Sequence, residues 1–503
     1  MSGKSPSAPS PTMDRVTKAR FFSRDAGLLV LLFTAVICGI LLRTVGAASY
    51  DLFGDDYFTF RNALENPLGR GIFSGYFVLT RASLFIIGEN VLGVRLPSLI
   101  FGVLAIPVFY WRMKVNFGRT VAILGLAVFA FSGWHVEMTF EARYYSGLFL
   151  FGMLCVSYFL EFLRDGRLLH LVLSLTTGVV ACLFHFTAVL LFAVIGIYSV
   201  VALLVSDLLP NPQTRRPISY LVGVMLLGGL AAIPIIILPM LDKWGGMAHW
   251  GVAGWAIVPL MAFNHLSLPV FFAMCSGIIA LWFQPGKRPE WFLLTVAAAV
   301  ALLSPTILGM FMNMSPRYIF VLVPLFFASA GVFCADLFDR LSDRDVLVAL
   351  TPCLLLIAAS LPGVVSHHLE KRRMSETEIS RLIVEQAEAG DVMIGNFGSP
   401  LVDFSKLDKQ PSPAAPLDRS FDWETYLDNN FGNNDRTVWI ALEVSRSGLA
   451  PELQRWLSAN TEWILEQRSG RIDRRERVFF LWRKPQVPVA DENVDPEVTE
   501  QFN

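Results

Sequence analysis

Eleven stretches of about twenty apolar residues, each ended by charge or by turn residues, constrain this chain more than any other feature. They cover residues 26–45, 94–112, 120–134, 144–163, 168–186, 188–206, 218–240, 266–284, 291–311, 317–336 and 346–364. As an α-helix, each has the length needed to cross the hydrocarbon core of a bilayer, and a helix there satisfies all of its own backbone hydrogen bonds. The chain is therefore expected to be a polytopic α-helical membrane protein with about eleven transmembrane helices. With 54% hydrophobic and 17% charged residues, it lacks the charge that a soluble chain of 503 residues would spread over its surface.

The formal net charge of −1 leaves no basic field to hold nucleic acid, and that class of partner is excluded. All six cysteines (Cys38, Cys155, Cys182, Cys275, Cys334 and Cys353) fall in apolar stretches with no Cys-x-x-Cys spacing, so they are expected to be small core residues of helices. Nothing in the pattern indicates a disulfide framework or a thiolate metal site.

Basic residues orient the spans. Residues 1–25, rich in Ser and Pro and carrying Lys4, Arg15, Lys18, Arg20 and Arg24, are expected to be a disordered cytoplasmic tail before an uncleaved signal anchor. The inner loops then hold Arg112, Lys114, Arg119, Arg164, Arg167, Arg215, Arg216, Lys287, Arg288, Arg340 and Arg344, whereas the short outer loops hold Arg143, Lys243 and Arg317. Residues 72–87 are apolar, but crossing there would move two basic loops outside, so they are expected to lie on the outer surface as amphipathic helices. Residues 26–365 thus form a transmembrane domain with a first outer loop at 48–93.

After residue 365 the character changes to frequent charge, amphipathic helices and short β-rich runs. A helix over 375–389 opens with Ser375 and Glu378 in a capping-box pattern and closes at Gly390. Strands are expected at 391–396, 437–442, 461–467 and 477–482, with helices at 423–428 and 451–459. Residues 366–484 are therefore expected to be a small α/β extracytoplasmic domain, and 485–503 a disordered tail.

The outer face collects most of the polar residues at the span edges. Asp55 and Asp56 follow the first span, and a carboxylate pair at a membrane surface is well placed to work on the headgroup of a lipid-borne substrate. On position alone a solvated flank is the more common reading, and the rest of the chain shifts the balance.

Four motifs, Gly54-Asp55-Asp56-Tyr57, Leu92-Gly93-Val94-Arg95-Leu96-Pro97-Ser98, Glu141-Ala142-Arg143-Tyr144-Tyr145-Ser146 and Ser315-Pro316-Arg317-Tyr318 with Pro324, resemble in order and spacing the polyprenyl-phosphate-sugar-dependent glycosyltransferases of GT-C fold. The dolichyl-phosphate-mannose-protein mannosyltransferase-like proteins and the aminoarabinose transferases are similar in appearance. The resemblance covers roughly the first 340 residues. The family has Asp-Glu where this chain has Asp55-Asp56, and a His-Pro-Pro or Lys-Pro element where it has Gly69-Arg70-Gly71-Ile72; Arg70 or Arg81 would then supply that phosphate contact.

The resemblance implies a GT-C-like fold and a membrane enzyme that moves a sugar from a polyprenyl phosphate to an acceptor hydroxyl. It places that enzyme in the cytoplasmic (inner) membrane, with its site on the outer, periplasmic face. The acceptor is a glycolipid, a glycan or a protein, and membrane lipid surrounds the enzyme. Such transfer needs a base for the acceptor and positive groups for the departing phosphate. Asp55 is the expected base, with Asp56 beside it, and attack opposite the leaving group implies inversion.

The phosphate-binding candidates are Arg143, Tyr144, Arg317, Tyr318 and Arg70. An interfacial anchor is the alternative for each arginine, and an aromatic-belt role for each tyrosine. Tyr57, Glu141, His185, His249 and His265 are candidate substrate contacts, although a lone histidine on an apolar segment, as His185 is, is more often a satisfied core residue. No spacing reads as a metal site and no cofactor is assigned; Glu137 and Glu141 would either supply a second carboxylate or bind a divalent cation. Trp244, Trp250 and Trp255 read as interfacial belt residues. The alternatives to a transferase are a polytopic lipid or glycan flippase, which would show mid-membrane charges and an inverted repeat, and a membrane anchor presenting the C-terminal domain.

Overall fold

The computed structural model describes residues 23–50, 52, 55–69, 71–232, 265–284, 286–308, 315–341, 344–370, 376–395, 401–411, 421–431, 437–445, 449–469 and 477–484. They divide into two compact units. One comprises residues 1–45, 70–76 and 98–364, and the other residues 46–69, 77–97 and 365–503.

The helices in chain order are α1 (Arg24–Thr44), α2 (Asp55–Glu65), α3 (Gly75–Ile87), α4 (Val91–Phe117), α5 (Arg119–Ala130), α6 (Gly133–Phe140), α7 (Tyr145–Asp165), α8 (Leu168–Phe184), α9 (Val189–Leu204), α10 (Arg215–Ala232), α11 (Leu268–Trp282), α12 (Arg288–Leu308), α13 (Val323–Arg340) and α14 (Val346–Glu370). Every apolar stretch expected to span overlaps one of them. Among the described residues, seven helical segments are long and apolar enough to cross a membrane, or eight if α5 and α6, bent by 61° at their junction, make one span. The expected count of eleven is not reached. With 17 residues in α8 and 15 in α11, both are shorter than the roughly 20 residues that cross a bilayer, and part of the stretch 218–240 lies outside the described residues.

Within the first unit, α1 turns an apolar face outward through Val30, Phe33, Ile37 and Leu41 and packs the stripe Leu28, Leu31, Ala35, Gly39 and Arg43 inward. Buried helix α13 lies between α5 and α11 through small residues. A Cβ on Gly277 would sit 1.8 Å from the Ser329 carbonyl oxygen, and one on Gly331 would sit 2.8 Å from Gly125 Cα, so glycine at these sites sets the interaxial distance.

One end of this unit is tied together by charge. Arg112 donates to Glu161 and to Ser157 Oγ (2.8 Å), joining α4 to α7. Arg164 Nη2 lies 2.6 Å from Glu290 Oε1, which joins α7 to α12, and His170 Nδ1 lies 2.9 Å from Asp165. These residues occupy the C-terminal ends of α4 and α7 and the N-terminal ends of α8 and α12.

The second unit contains a five-stranded sheet in the order β2-β1-β3-β5-β4, where β1 is Val392–Gly395, β2 Asp408–Pro411, β3 Val438–Ser445, β4 Glu462–Ser469 and β5 Arg477–Lys484. β1 pairs in parallel with β2 and β3, and β5 runs antiparallel to both β3 and β4. Alternation along the strands divides the core into two layers. Val392, Ile394, Val438, Ile440 and Leu442 face Trp423, Leu427, Leu453 and Trp456 of the helices Trp423–Phe431 and Pro451–Asn460. Met393, Trp439 and Ala441 face Ile379 and Ile383 of the helix Glu376–Gln386.

The Asp422 carboxylate accepts from Thr425 N at 3.0 Å and caps the helix that begins at Trp423, and this bond holds its pKa below the usual carboxylate range. Strand β2 was not expected. Asp-Lys-Gln-Pro has little β propensity, and it pairs only because it forms the sheet edge, where Pro411 needs no donor.

Candidate active site

Asp55 and Asp56 form the first turn of α2, where the helix dipole favours carboxylates. Their environments differ. Asp55 is exposed, whereas Asp56 is 1% exposed and its Oδ2 lies 3.8 Å from Nη2 of Arg95, itself 1% exposed. Nη1 of Arg95 also donates to the carbonyls of Ala47 and Tyr50, which fixes the turn preceding α2.

Arg95 is placed by the start of α4. Asn90 Oδ1 accepts from Gly93 N at 2.9 Å, Ser83 Oγ donates to Gly93 O at 2.6 Å, and a Cβ on Gly93 would meet Gly88 O at 2.2 Å. The Leu92-to-Ser98 motif therefore has a local physical meaning: it builds the platform that carries Arg95. In the same unit, the Tyr57 hydroxyl lies 3.2 Å from Thr377 Oγ1 and the Tyr50 hydroxyl 3.1 Å from His368 Nδ1.

The other group of candidates lies in the first unit, at the end opposite the charge network. Ser132 caps α6, the chain turns sharply at residues 141–143 with Arg143 N donating to Glu141 O at 2.7 Å, and α7 starts at Tyr145. Glu141 Oε2 accepts from Arg317 Nη1 at 3.2 Å. The Arg143 guanidinium carbon lies 5.1 Å from the centre of the Tyr144 ring, and that of Arg317 lies 5.9 Å from Tyr145.

Tyr144 stacks on His185 with ring centres 4.2 Å apart and planes 17° apart, and His185 stacks in turn on Tyr318 at 5.8 Å. His185 Nδ1 lies 2.9 Å from Thr187 Oγ1 and 3.3 Å from Thr187 N, so the ring caps the helical turn Phe186–Ala188 and is fixed in orientation. His265 stacks on Trp134 of α6 at 4.9 Å.

Glu141, Arg143, Tyr144, His185, Arg317 and Tyr318, which lie up to 177 residues apart in sequence, thus meet in one cluster of two guanidiniums, one carboxylate and stacked rings. Guanidiniums backed by aromatic faces suit phosphate oxygens, and Glu141 holds Arg317 in place. Asp55, Asp56 and Tyr57 belong to the second unit. Arg70, His249, Trp244, Trp250 and Trp255 lie outside the described residues. Among the described residues no three His, Cys, Asp or Glu side chains gather in a metal-holding group.

Two buried polar residues were missed in the sequence, Arg43 and His135, joined by a 3.1 Å hydrogen bond from Arg43 Nε to His135 Nδ1. A signal existed for the first: an arginine two residues from the end of an apolar stretch is rare enough to need a partner.

No family profile and no curated protein sequence matches the chain. Solved structures match its fold. ArnT from Cupriavidus metallidurans in the apo state is 14% identical with a TM-score of 0.55, covering 91% of this chain and 98% of that one. The same ArnT bound to undecaprenyl phosphate is 13% identical with a TM-score of 0.52 over the same shares. The Archaeoglobus fulgidus oligosaccharyltransferase in the apo form is 12% identical with a TM-score of 0.50, covering 87% of this chain and 73% of that one. The GT-C fold implied by the four sequence motifs is therefore the fold of this chain, an integral membrane protein built on several apolar helices.

Proposed function

We propose that this protein is a membrane glycosyltransferase that moves a sugar from a polyprenyl phosphate to an acceptor hydroxyl on a glycolipid, glycan or protein. The observation that carries the reading is the fold shared with ArnT along nearly the whole of both chains, one ArnT structure holding undecaprenyl phosphate. The motif order of the sequence and the two-arginine cluster support it.

Each residue has a chemical part in this reading. Asp55, exposed at the positive end of α2, accepts the proton of the attacking hydroxyl. Asp56, ion-paired with Arg95, helps that arginine fix the turn from which Asp55 projects. Arg143 and Arg317 take up the charge that develops on the departing phosphate, with Tyr144 and Tyr318 beside them. Attack from the face opposite the phosphate inverts the anomeric centre through an oxocarbenium-like transition state. The membrane is the cytoplasmic one, and the reaction faces its outer side.

The test is sugar transfer from polyprenyl phosphate in membranes, with mass spectra of envelope glycolipids and glycoproteins from cells with and without the gene to identify the product. Asp55→Asn keeps the shape but not the basicity, and transfer is expected to fall by about 10²–10⁴ with donor binding retained. Full transfer by this variant would remove Asp55 as the base.

A further inference from the structure

Arg43 is completely buried near the end of a membrane-length helix, and no carboxylate among the described residues lies within ion-pair distance of it. Its hydrogen bonds go elsewhere. Nη1 donates to Gly39 O at 2.8 Å and to Ala130 O at 2.9 Å, Nη2 to Phe129 O at 3.4 Å, and Nε to His135 Nδ1 at 3.1 Å. The guanidinium carbon also lies 5.1 Å from the centre of the Phe129 ring.

Phe129 and Ala130 are the residues at which α5 ends: Phe129 O accepts from Phe131 N and from Ser132 N, and Ala130 O accepts from Arg43. A cation at a helix C-terminus meets the negative end of the dipole and adds donors to its last carbonyls. His135, also completely buried, belongs to the first turn of α6. Because Arg43 can only donate, His135 Nδ1 accepts and the ring carries its proton on Nε2. One side chain of α1 therefore binds the last turn of α5 and the first turn of α6 at once, across the 61° bend.

Glycine fixes the other side of α6: a Cβ on Gly133 would lie 2.7 Å from the Gly363 carbonyl carbon. The direction of α6 matters because Glu141 is its C-cap residue and Arg143 follows two positions later.

We propose that Arg43 is a positioning residue for the phosphate-binding cluster: by clamping the α5–α6 break it sets where Glu141 and Arg143 stand relative to Arg317. This role rests on the reading of that cluster as the site for the carrier phosphate. Arg43 itself touches no substrate.

The experiment uses purified full-length protein with Arg43→Met and Arg43→Lys, amide hydrogen exchange, and equilibrium binding of undecaprenyl phosphate. In Arg43→Met, exchange across residues 131–143 is expected to quicken about tenfold or more while the core of α7 is unchanged. Carrier affinity is expected to weaken on the order of tenfold. Arg43→Lys, which keeps the charge but loses the fork, should fall between wild type and Met in both measurements, and it serves as the comparison if Arg43→Met does not fold.

Unchanged exchange would overturn the clamp. Faster exchange with wild-type affinity would leave Arg43 a purely structural residue and overturn its role at the site. If the unsubstituted protein binds no undecaprenyl phosphate, the carrier reading fails and takes that role with it, while the exchange data still judge the clamp separately.

Discussion

Two adjacent aspartates at the start of α2 are chemically alike and physically opposed, one exposed and one sealed against an arginine. Removing one member of a buried ion pair leaves the other charge uncompensated, typically at about 3–5 kcal/mol. Asp56→Asn is therefore expected to lower the thermal unfolding midpoint clearly, Arg95→Met to do the same, and the double variant to cost less than the sum. Melting of Asp56→Asn at the wild-type temperature would show that the pair contributes nothing to stability.

Arg143 separates charge from geometry. Arg143→Lys keeps the cation but not the fork and should weaken transfer, whereas Arg143→Ala should lose far more. Near-normal activity in both would make Arg143 an interfacial anchor. Arg143, Arg317 and Tyr318 were legible in the sequence because polar residues at span ends stand out against apolar neighbours. The pairing of Arg43 with His135 was not, since 92 residues separate them and only the packed bundle brings them together. Nor could sequence show which of Asp55 and Asp56 is buried, because neighbours on one helical turn differ only in what packs on each side.

At the scale of elements, helix contacts in an apolar solvent depend on close backbone approach more than on burial of oil from water. The α11–α13 crossing is the sharpest case, with Gly277 facing the Ser329 carbonyl and Ser329 Oγ donating to Met274 O at 2.5 Å. Gly277→Leu must push the two helices apart, and it is expected to lower folded yield and thermal stability, overpacking of this kind costing about 1–3 kcal/mol or more. A variant that accumulates and melts as wild type does would mean that this contact yields without cost. The same physics explains what sequence located well and what it did not. Long apolar helices announce themselves by composition, but α5 carries an apolar pattern that runs past Ala130, and the bend into α6 is imposed by Ser132 and by Arg43 rather than by a proline. The strands Val438–Ser445 and Arg477–Lys484 were visible as β-rich runs, whereas edge strand β2 is ordered by its neighbour alone.

For the whole molecule, a charge network lies at one end of the transmembrane unit and the arginine–aromatic cluster at the other, and the basic loops give the orientation to be tested. If the basic loops face the cytoplasm, residues after 365 are expected outside the membrane. A cysteine placed at exposed Arg381 should react with an impermeant thiol reagent in cells whose outer layer has been opened, and one at exposed Arg340 only after the inner membrane is broken. Labelling with the reverse preference would invert the topology and the side on which transfer occurs.

The shortness of α5 carries a further implication for which molecules can react. Its 12 residues rise about 18 Å, and α6, tilted by 61°, adds roughly 6 Å more, against a hydrocarbon thickness of about 30 Å. If Arg119 holds the lower end at one interface, the corner at Glu141 and Arg143 is sunk several ångströms beneath the opposite one. In the reading proposed above, either phosphate would exchange hydration for the two guanidiniums at that depth, but one tethered to a long hydrocarbon tail would arrive with its anchor already in the bilayer, whereas a free sugar phosphate would have none. Selection for a membrane-bound donor over its water-soluble counterparts would then begin with the length of one helix, before any side chain has recognised a sugar.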